Sequence, residues 1–335
     1  MRKKYFLGFI AVLAISAFVL YWDLKQTNFK ALLSASKNIN YSFIILIFLV
    51  ILCTYLCEAL ILFVLAGRKR FSDLIHFYRV PLIQALFNAI TPMATGGQPA
   101  QLIALKQMKI ELGPASSLLL MKFIIYQLVV FCAYVWAFFT GHQLLGEMDH
   151  FNIVIVISFL IHLSTIIFLL FGMFARKTLK RIGALLFKLG GYFTSSRKLI
   201  NLQESLDQQV DEYYLESQKL FQHKKSLVIS FILTCIQLTL FYSVPFLTIK
   251  ALNLSGSWVE LMHLNILVAL FMAVIPIPGA SGGAELGFQT LFKFFVKNGA
   301  QLVLGMFIWR FATYFFGMLL GVIAWLIRPK KNIRG

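Results

Sequence analysis

The stretch Thr91–Leu102 has the sequence TPMATGGQPAQL and separates two apolar runs. Its two prolines, two adjacent glycines and two glutamines are unfavourable in the interior of a helix. The chain around the stretch is 59% hydrophobic. Because unpaired backbone N–H and C=O groups are costly away from water, a break at this place predicts a polar environment inside an apolar protein.

The composition around this break predicts an all-α polytopic membrane protein. Only 13% of the 335 residues are charged, whereas about 25% is usual in soluble domains. Several apolar runs reach the roughly 20 residues that a helix needs to cross a bilayer. The first run follows MRKK and has no small-residue cleavage site, so we interpret it as a retained anchor. We expect about six full transmembrane helices, near residues 5–22, 41–66, 115–139, 151–174, 226–249 and 300–327.

Two further apolar regions, 80–110 and 261–296, are interrupted by proline and glycine, and we predict that each is a re-entrant hairpin. With the N-terminus in the cytoplasm, this topology places 23 of the 31 Lys and Arg residues on the cytoplasmic side and 5 outside. That asymmetry satisfies the positive-inside rule. We therefore expect a multi-pass protein of the bacterial cell membrane with both termini in the cytoplasm. The net charge of +18 then reflects topology, and no nucleic-acid partner is predicted.

The broken stretch has a counterpart later in the chain. PMATGG begins at Pro92 and PGASGG begins at Pro278, an offset of 186, and both fit P-x-A-[ST]-G-G. Downstream, KFIIY begins at Lys122 and RFATY begins at Arg310, and both fit [KR]-F-x-x-Y. This spacing places a cation and a tyrosine one helical turn apart on the same face. Two matched motifs in the same order predict an internal repeat.

The predicted topology makes the two repeats inverted, because the first hairpin enters from the cytoplasm and the second from outside. We assign repeat 1 to about 41–139 and repeat 2 to about 226–327 within a single domain of residues 1–335. Inverted repeats with broken helices at matching positions indicate a binding site near the membrane midplane. A cytoplasmic segment at 175–225 separates the repeats. It contains an amphipathic helix with Leu202, Leu206, Val210, Tyr213 and Leu220 on one face.

The predicted site combines the helix starts after the glycine pairs with the charges buried in apolar segments. Helix N-termini favour anions, and ionisable residues at membrane depth are functional candidates. Lys122 and Arg310 are the expected cations for a phosphate. The glycines are expected to allow a left-handed turn or to leave space for a headgroup. The full predicted substrate site is Glu58, Gly96, Gly97, Gln98, Gln101, Lys122, Tyr126, Gly282, Gly283, Glu285, Arg310 and Tyr314.

Two other interpretations of these residues remain open. The buried charges form ion pairs that only hold helices together, for example Glu58 with Lys122 or Glu285 with Arg310. Alternatively, the carboxylates belong to a membrane-embedded transferase, although no nucleophile–base arrangement accompanies them. The four cysteines lie inside predicted spans without metal-ligand spacing. We therefore predict no catalytic residue, no metal and no cofactor.

Three blocks of sequence carry a resemblance to a known family. They are FNAITPMATGGQPAQLIALKQMKI, LLMKFIIYQ and IPIPGASGGAELGF. Together they resemble the transmembrane flippase-like region of the lysylphosphatidylglycerol synthetase/flippase family, the multiple peptide resistance factor. The resemblance covers essentially the whole chain. It implies a membrane fold that moves an aminoacylated phospholipid to the outer leaflet and so contributes to resistance against cationic peptides.

Full-length members of that family also make aminoacylated phosphatidylglycerol from aminoacyl-tRNA in a C-terminal cytoplasmic domain. This chain ends soon after its last predicted span, so we do not expect that synthase domain. The leading hypothesis is a translocator for an anionic or aminoacylated phospholipid or a polyprenyl-phosphate lipid. One alternative is phosphatidylglycerol lysyltransferase activity. The other is a non-catalytic membrane partner of a separate synthase. The expected protein partner is a separate cytoplasmic synthase or a second copy of the chain in a homo-oligomer.

Overall fold

The computed structural model describes residues 29–68, 70–140, 151–174, 176–190, 222–273 and 275–327, with isolated helical residues between 203 and 218. Within these residues the chain is helical and contains no strand, which confirms the predicted all-α fold. The predicted first span, 5–22, lies outside the described residues. So does most of the predicted amphipathic face in the 175–225 segment, of which Val210 is described.

The described helices are numbered in chain order. They are α1 (Phe29–Lys37), α2 (Tyr41–Leu65), α3 (Phe71–Ile90), α4 (Gly97–Gln107), α5 (Leu112–Thr140), α6 (Phe151–Phe174), α7 (Arg176–Gly190), α8 (Lys224–Tyr242), α9 (Val244–Ala251), α10 (Trp258–Ala273), α11 (Gly283–Phe292), α12 (Gly299–Arg310) and α13 (Phe316–Leu326).

Four helical segments in the described part of the chain are long and apolar enough to cross a bilayer: Tyr41–Leu65, Leu112–Phe139, Lys224–Ala251 and Gly299–Leu326. The third is interrupted at Ser243, one residue before α9 starts. Pro245 lies at the start of α9, where its missing N–H costs no internal hydrogen bond. The predicted span at 151–174 is present as α6.

The first interrupted region forms a helical hairpin. Near its tip, a Cβ on Gly97 would lie 1.9 Å from Oδ1 of Asn88. Near its open end, Nη2 of Arg79 donates to Oε1 of Gln107 at 2.8 Å. Contacts between residues at matching distances from the turn require α3 and α4 to run antiparallel, so the chain returns towards the end of the bundle that it left.

The second interrupted region forms a matching hairpin. A Cβ on Gly283 would lie 1.8 Å from Cδ1 of Ile275, and one on Gly287 would lie 3.2 Å from Cδ1 of Phe271. The absence of side chains on the glycines therefore lets α11 lie directly against α10. This close approach explains why both hairpins restart their helices on a glycine.

The two hairpin tips begin with the same backbone conformation and differ at the residues just before their helices restart, where Gly282 but not Gly96 has a positive φ. The Thr95 hydroxyl donates to the carbonyl of Pro92 at 3.0 Å, and the Ser281 hydroxyl donates to the carbonyl of Pro278 at 3.1 Å. The tips also lie against each other. The two residues after each of these prolines have positive φ angles: Met93 at 51°, Ala94 at 54°, Gly279 at 61° and Ala280 at 50°.

Helices from the two halves of the chain pack antiparallel across the bundle. At one end of α2, the N–H of Asn40 donates to the carbonyl of Ala251 at 2.8 Å. Further along, Nε2 of Gln237 lies 3.5 Å from Oε2 of Glu58. A residue near the start of α2 thus contacts the end of α9, and a residue near the end of α2 contacts the middle of α8. These segments therefore run in opposite directions. The apolar core lies between them and α10, α11 and α12.

Candidate functional site

A cavity of about 580 Å³ lies where the two hairpin tips meet. Side chains from α2, α3, α4, α5, α8, α10 and α12 line it together with residues of both tips. Its wall is mixed: apolar side chains such as Phe123 and Leu238 alternate with Gln84, Asn88 and Asn265. An apolar cavity with a few polar groups is the usual form of a small-molecule binding site.

One side of the cavity contains a buried ion pair. Nζ of Lys122 on α5 donates to Oε1 of Glu58 on α2, and the two side chains are only 8% and 10% exposed. Two glutamines complete the cluster. Gln84 accepts from Lys122 at 3.1 Å, and Gln101 donates to Glu58 at 3.1 Å. This ion pair is one of the two that the sequence analysis predicted if the buried charges only hold helices together.

The other motif cation is also paired. Nε of Arg310 donates to Oε1 of Glu285 at 2.9 Å, and both side chains are almost fully buried. Nη2 of Arg310 donates to the carbonyl of Gly279 at 2.5 Å and to the Ser281 hydroxyl at 3.4 Å. None of these three hydrogen bonds uses Nη1, and Arg310 lines the cavity. Its guanidinium group can therefore hold the second hairpin tip and still face a ligand.

The carboxylates of Glu285 and Glu58 have different kinds of hydrogen-bond partner. Oε2 of Glu285 accepts from the N–H of Gly282 at 2.7 Å, which caps the start of α11. One oxygen of Glu285 is thus hydrogen-bonded to the backbone of its own hairpin. All the groups that donate to Glu58 in the described part of the chain are side chains, on α4, α5 and α8. The described partners of Glu58 are therefore all groups that can rotate away from it.

The tyrosines of the two [KR]-F-x-x-Y motifs both line the cavity. The guanidinium carbon of Arg310 lies 4.2 Å from the centroid of the Tyr314 ring, which is a cation–π contact. A π-helical turn at Phe311–Phe315 contains Tyr314 and joins α12 to α13. Such turns are frequent at functional sites because they alter side-chain direction within a continuous helix. Tyr126 is 36% exposed and faces the cavity from α5.

Half of the predicted site residues line the cavity and half do not. Glu58, Gln98, Lys122, Tyr126, Arg310 and Tyr314 contribute to its wall, whereas Gly96, Gly97, Gln101, Gly282, Gly283 and Glu285 lie behind it. The expectation that the four glycines allow a left-handed turn holds in part. Gly282 has a φ of +86°, but Gly96, Gly97 and Gly283 do not have positive φ. The positive φ angles belong mainly to the residues just before the glycine pairs.

Sequence reasoning missed several polar residues of the wall. Gln84 and Asn88 lie one turn apart on α3, Gln237 lies on α8 and Asn265 lies on α10. An amide inside an apolar run could have indicated these residues, but it is a weaker indication of a functional site than a charge. No group of three or more His, Cys, Asp or Glu side chains suited to a metal ion occurs among the described residues.

Comparison with known proteins agrees with this architecture. A family model described as the lysylphosphatidylglycerol synthase TM region matches residues 9–321, which confirms the family resemblance predicted from the three sequence blocks. The chain is also similar to a UPF0104 membrane protein of Archaeoglobus fulgidus. The two are 21% identical over 324 residues, which cover 95% of each chain.

Proposed function

The chain belongs to the lysylphosphatidylglycerol synthase TM region family, and on that basis we propose that it moves a phosphate-bearing lipid between membrane leaflets. The substrate class is an anionic or aminoacylated phospholipid or a polyprenyl-phosphate lipid. One observation carries the proposal: Lys122 and Arg310, one from each motif, line a single cavity between the two hairpin tips. Arg and Lys are the cations that proteins use for phosphate.

The size and composition of the cavity support a headgroup as its occupant. Its volume of about 580 Å³ falls within the roughly 300–1,000 Å³ of small-molecule sites. The aromatic and aliphatic part of the wall can receive glycerol carbons or the first atoms of an isoprenoid chain. The amides of Gln84, Asn88 and Asn265 offer hydrogen bonds to hydroxyl or carbonyl groups.

The arrangement of the two halves supports alternating access. We infer that the repeats are inverted, because both tips begin with two left-handed residues after a proline and α2 runs antiparallel to α8 and α9. In transporters built from inverted repeats, one repeat rocks against the other around a fixed midplane site. The contact between the two hairpin tips lies next to the cations, so such a movement would alter it.

The experiment is a leaflet assay in proteoliposomes that contain fluorescent phosphatidylglycerol. A membrane-impermeant reductant removes the fluorescence of outer-leaflet lipid, so protein-dependent movement appears as additional loss from the inner leaflet. Lys122→Gln and Arg310→Gln should each slow the movement at least tenfold. Lys293→Gln is the matched control, because Lys293 lies over the Phe294 ring and does not line the cavity. No protein-dependent movement in the wild type would refute the proposal and favour a non-catalytic membrane partner. Equal rates in all four proteins would remove Lys122 and Arg310 from the substrate site.

A further inference from the structure

The two ion pairs of the cavity differ in a way that bears on how lipid movement is driven. Glu285 caps a helix and is fixed by the backbone of Gly282. Among the described residues, Glu58 is fixed only by the side chains of Lys122, Gln101 and Gln237. A ligand that competes for Arg310 therefore leaves Glu285 with its backbone partner, whereas a ligand that takes Lys122 leaves Glu58 without its cation.

We propose that binding of a phosphate group to Lys122 transfers one proton from the aqueous phase to Glu58. The inference rests on the proposed function and identifies the proton as the ion that is coupled to lipid movement. A phosphate oxygen replaces Glu58 as the partner of the ammonium group. A proton from water then bonds to a carboxylate oxygen of Glu58, and no atom is oxidised or reduced. Because the added anion and the added proton cancel, the net charge of the cavity stays the same.

The reason is the cost of an unpaired charge at this depth. The Glu58 side chain is 10% exposed, and a buried carboxylate without a partner becomes protonated rather than remaining charged. The other titratable groups near Glu58 do not replace the lost cation. They are Tyr126 on α5 and Tyr55 on α2. The neighbouring helices α3, α4 and α8 present the amides of Gln84, Gln101 and Gln237, while Arg310 on α12 keeps Glu285.

The amides around Glu58 suit both of its protonation states. A glutamine carboxamide carries a donor and an acceptor of nearly the same shape, so a half-turn exchanges one for the other. Nε2 of Gln101 now donates to the Glu58 carboxylate. Oε1 of Gln101 is buried and has no partner among the described residues. Turned towards Glu58, that oxygen would accept the O–H of the protonated acid, while Nε2 would leave its two present acceptors, Glu58 and Gln84.

Calorimetry with purified protein tests the proposal. The probes are a short-chain phosphatidylglycerol and, separately, glycerol phosphate, which distinguishes a lipid headgroup from a free phosphate ester. Each titration is repeated in two buffers of different ionisation enthalpy, which gives the number of protons taken up per ligand bound. We expect uptake of about one proton in the wild type and none in Glu58→Gln. Glu260→Gln is the matched control, since this exposed carboxylate at the start of α10 lies away from the cavity.

A second measurement needs no substitution. The infrared difference spectrum of the wild type with and without the lipid should gain the band of a protonated carboxyl group, even if Glu58→Gln does not fold. Binding without proton uptake and without this band would overturn the inference but leave the proposed function intact. Uptake that persists in a folded Glu58→Gln protein would remove Glu58 as the acceptor. No binding of either probe would remove the proposed function itself.

Discussion

The hydroxyl of Tyr314 donates a hydrogen bond of 3.0 Å to the carbonyl of Ala89. Tyr314 belongs to the second [KR]-F-x-x-Y motif, whereas Ala89 lies in the last turn of α3, in the first hairpin. The carbonyls of a last helical turn have no partner within their own helix. The tyrosine of one half therefore completes the broken helix of the other, beside the cavity that both halves line.

Tyr314→Phe should destabilise the protein by about 1–3 kcal/mol, because it leaves the buried Ala89 carbonyl without this donor. The ring contacts with Arg310 and Gly279 are retained by phenylalanine. Thermal unfolding of the purified protein in detergent micelles measures the effect. Tyr126→Phe is the matched control from the first motif, and its larger exposure predicts a change below about 0.5 kcal/mol. Equal losses in both variants would contradict the assignment.

Gly97→Ala should also destabilise the protein, by about 1–3 kcal/mol, because overpacking forces neighbours to move. The new Cβ would lie 1.9 Å from Oδ1 of Asn88 and would push that side chain within the cavity wall. The double change Gly97→Ala/Asn88→Ala should recover most of the stability. Gly113→Ala is a helical control with nothing within 4 Å of its Cβ position. A double variant as unstable as the single one would show that the close contact is not the cause.

We expect larger residues at the same positions to separate stability from activity. Gly97→Val and Gly283→Val should abolish lipid movement while the protein still reaches the membrane, since both hairpins depend on close helix packing near their tips. Membrane fractionation followed by the leaflet assay measures the two properties. Movement retained in both variants would mean that the tips are simple turns.

The sequence predicted the two tips because their cause is local. Pro92 and Pro278 cannot continue a helix, and the glycine pairs that follow mark where each helix can restart. The role of Gly97 could not be predicted in the same way. It depends on Asn88, which is nine positions away and comes close only when α3 and α4 pack. The fifth predicted span is interrupted at Ser243. Pro245 could have predicted this interruption, but the span was assigned from its length and hydropathy alone.

The candidate site was predictable in its charges but in only some of its amides, such as Gln98. Lys122 and Arg310 stand out because a charge within an apolar run is expensive. Gln84 and Gln237 do not stand out, because a single amide is tolerated in such a run and their meeting at Glu58 and Lys122 depends on four helices packing together. The π-helical turn at Phe311–Phe315 likewise follows from packing rather than from any local residue type.

Cysteine labelling should place the ends of each hairpin on one side of the membrane and the two hairpins on opposite sides. In a protein without its four native cysteines, Phe71→Cys and Lys109→Cys should react from the cytoplasm. Trp258→Cys and Lys297→Cys should react from outside. The antiparallel pairing of α3 with α4 and the positive-inside rule underlie this expectation. Labelling of both hairpins from the same side would contradict the inverted repeat and the cytoplasmic termini.

The ion pairs provide the test that separates a binding role from a purely structural one. Removing one partner of a buried pair leaves the other charge uncompensated, which costs about 3–5 kcal/mol, whereas removing both is much milder. Lys122→Gln should therefore lower expression, and Glu58→Gln/Lys122→Gln should restore it. The same comparison applies to Arg310→Gln and Glu285→Gln/Arg310→Gln, because a glutamine at position 285 can still accept from the N–H of Gly282.

Lipid movement should follow a different pattern from expression in these four variants. If Lys122 and Arg310 bind the phosphate, the double variants fold but lack the cation, so movement in the leaflet assay stays at least tenfold below the wild type. If the pairs only join α2 to α5 and α11 to α12, the double variants recover movement together with expression. Recovery of both properties would remove Lys122 and Arg310 from the substrate site. It would leave the cavity without the groups that favour a phosphate.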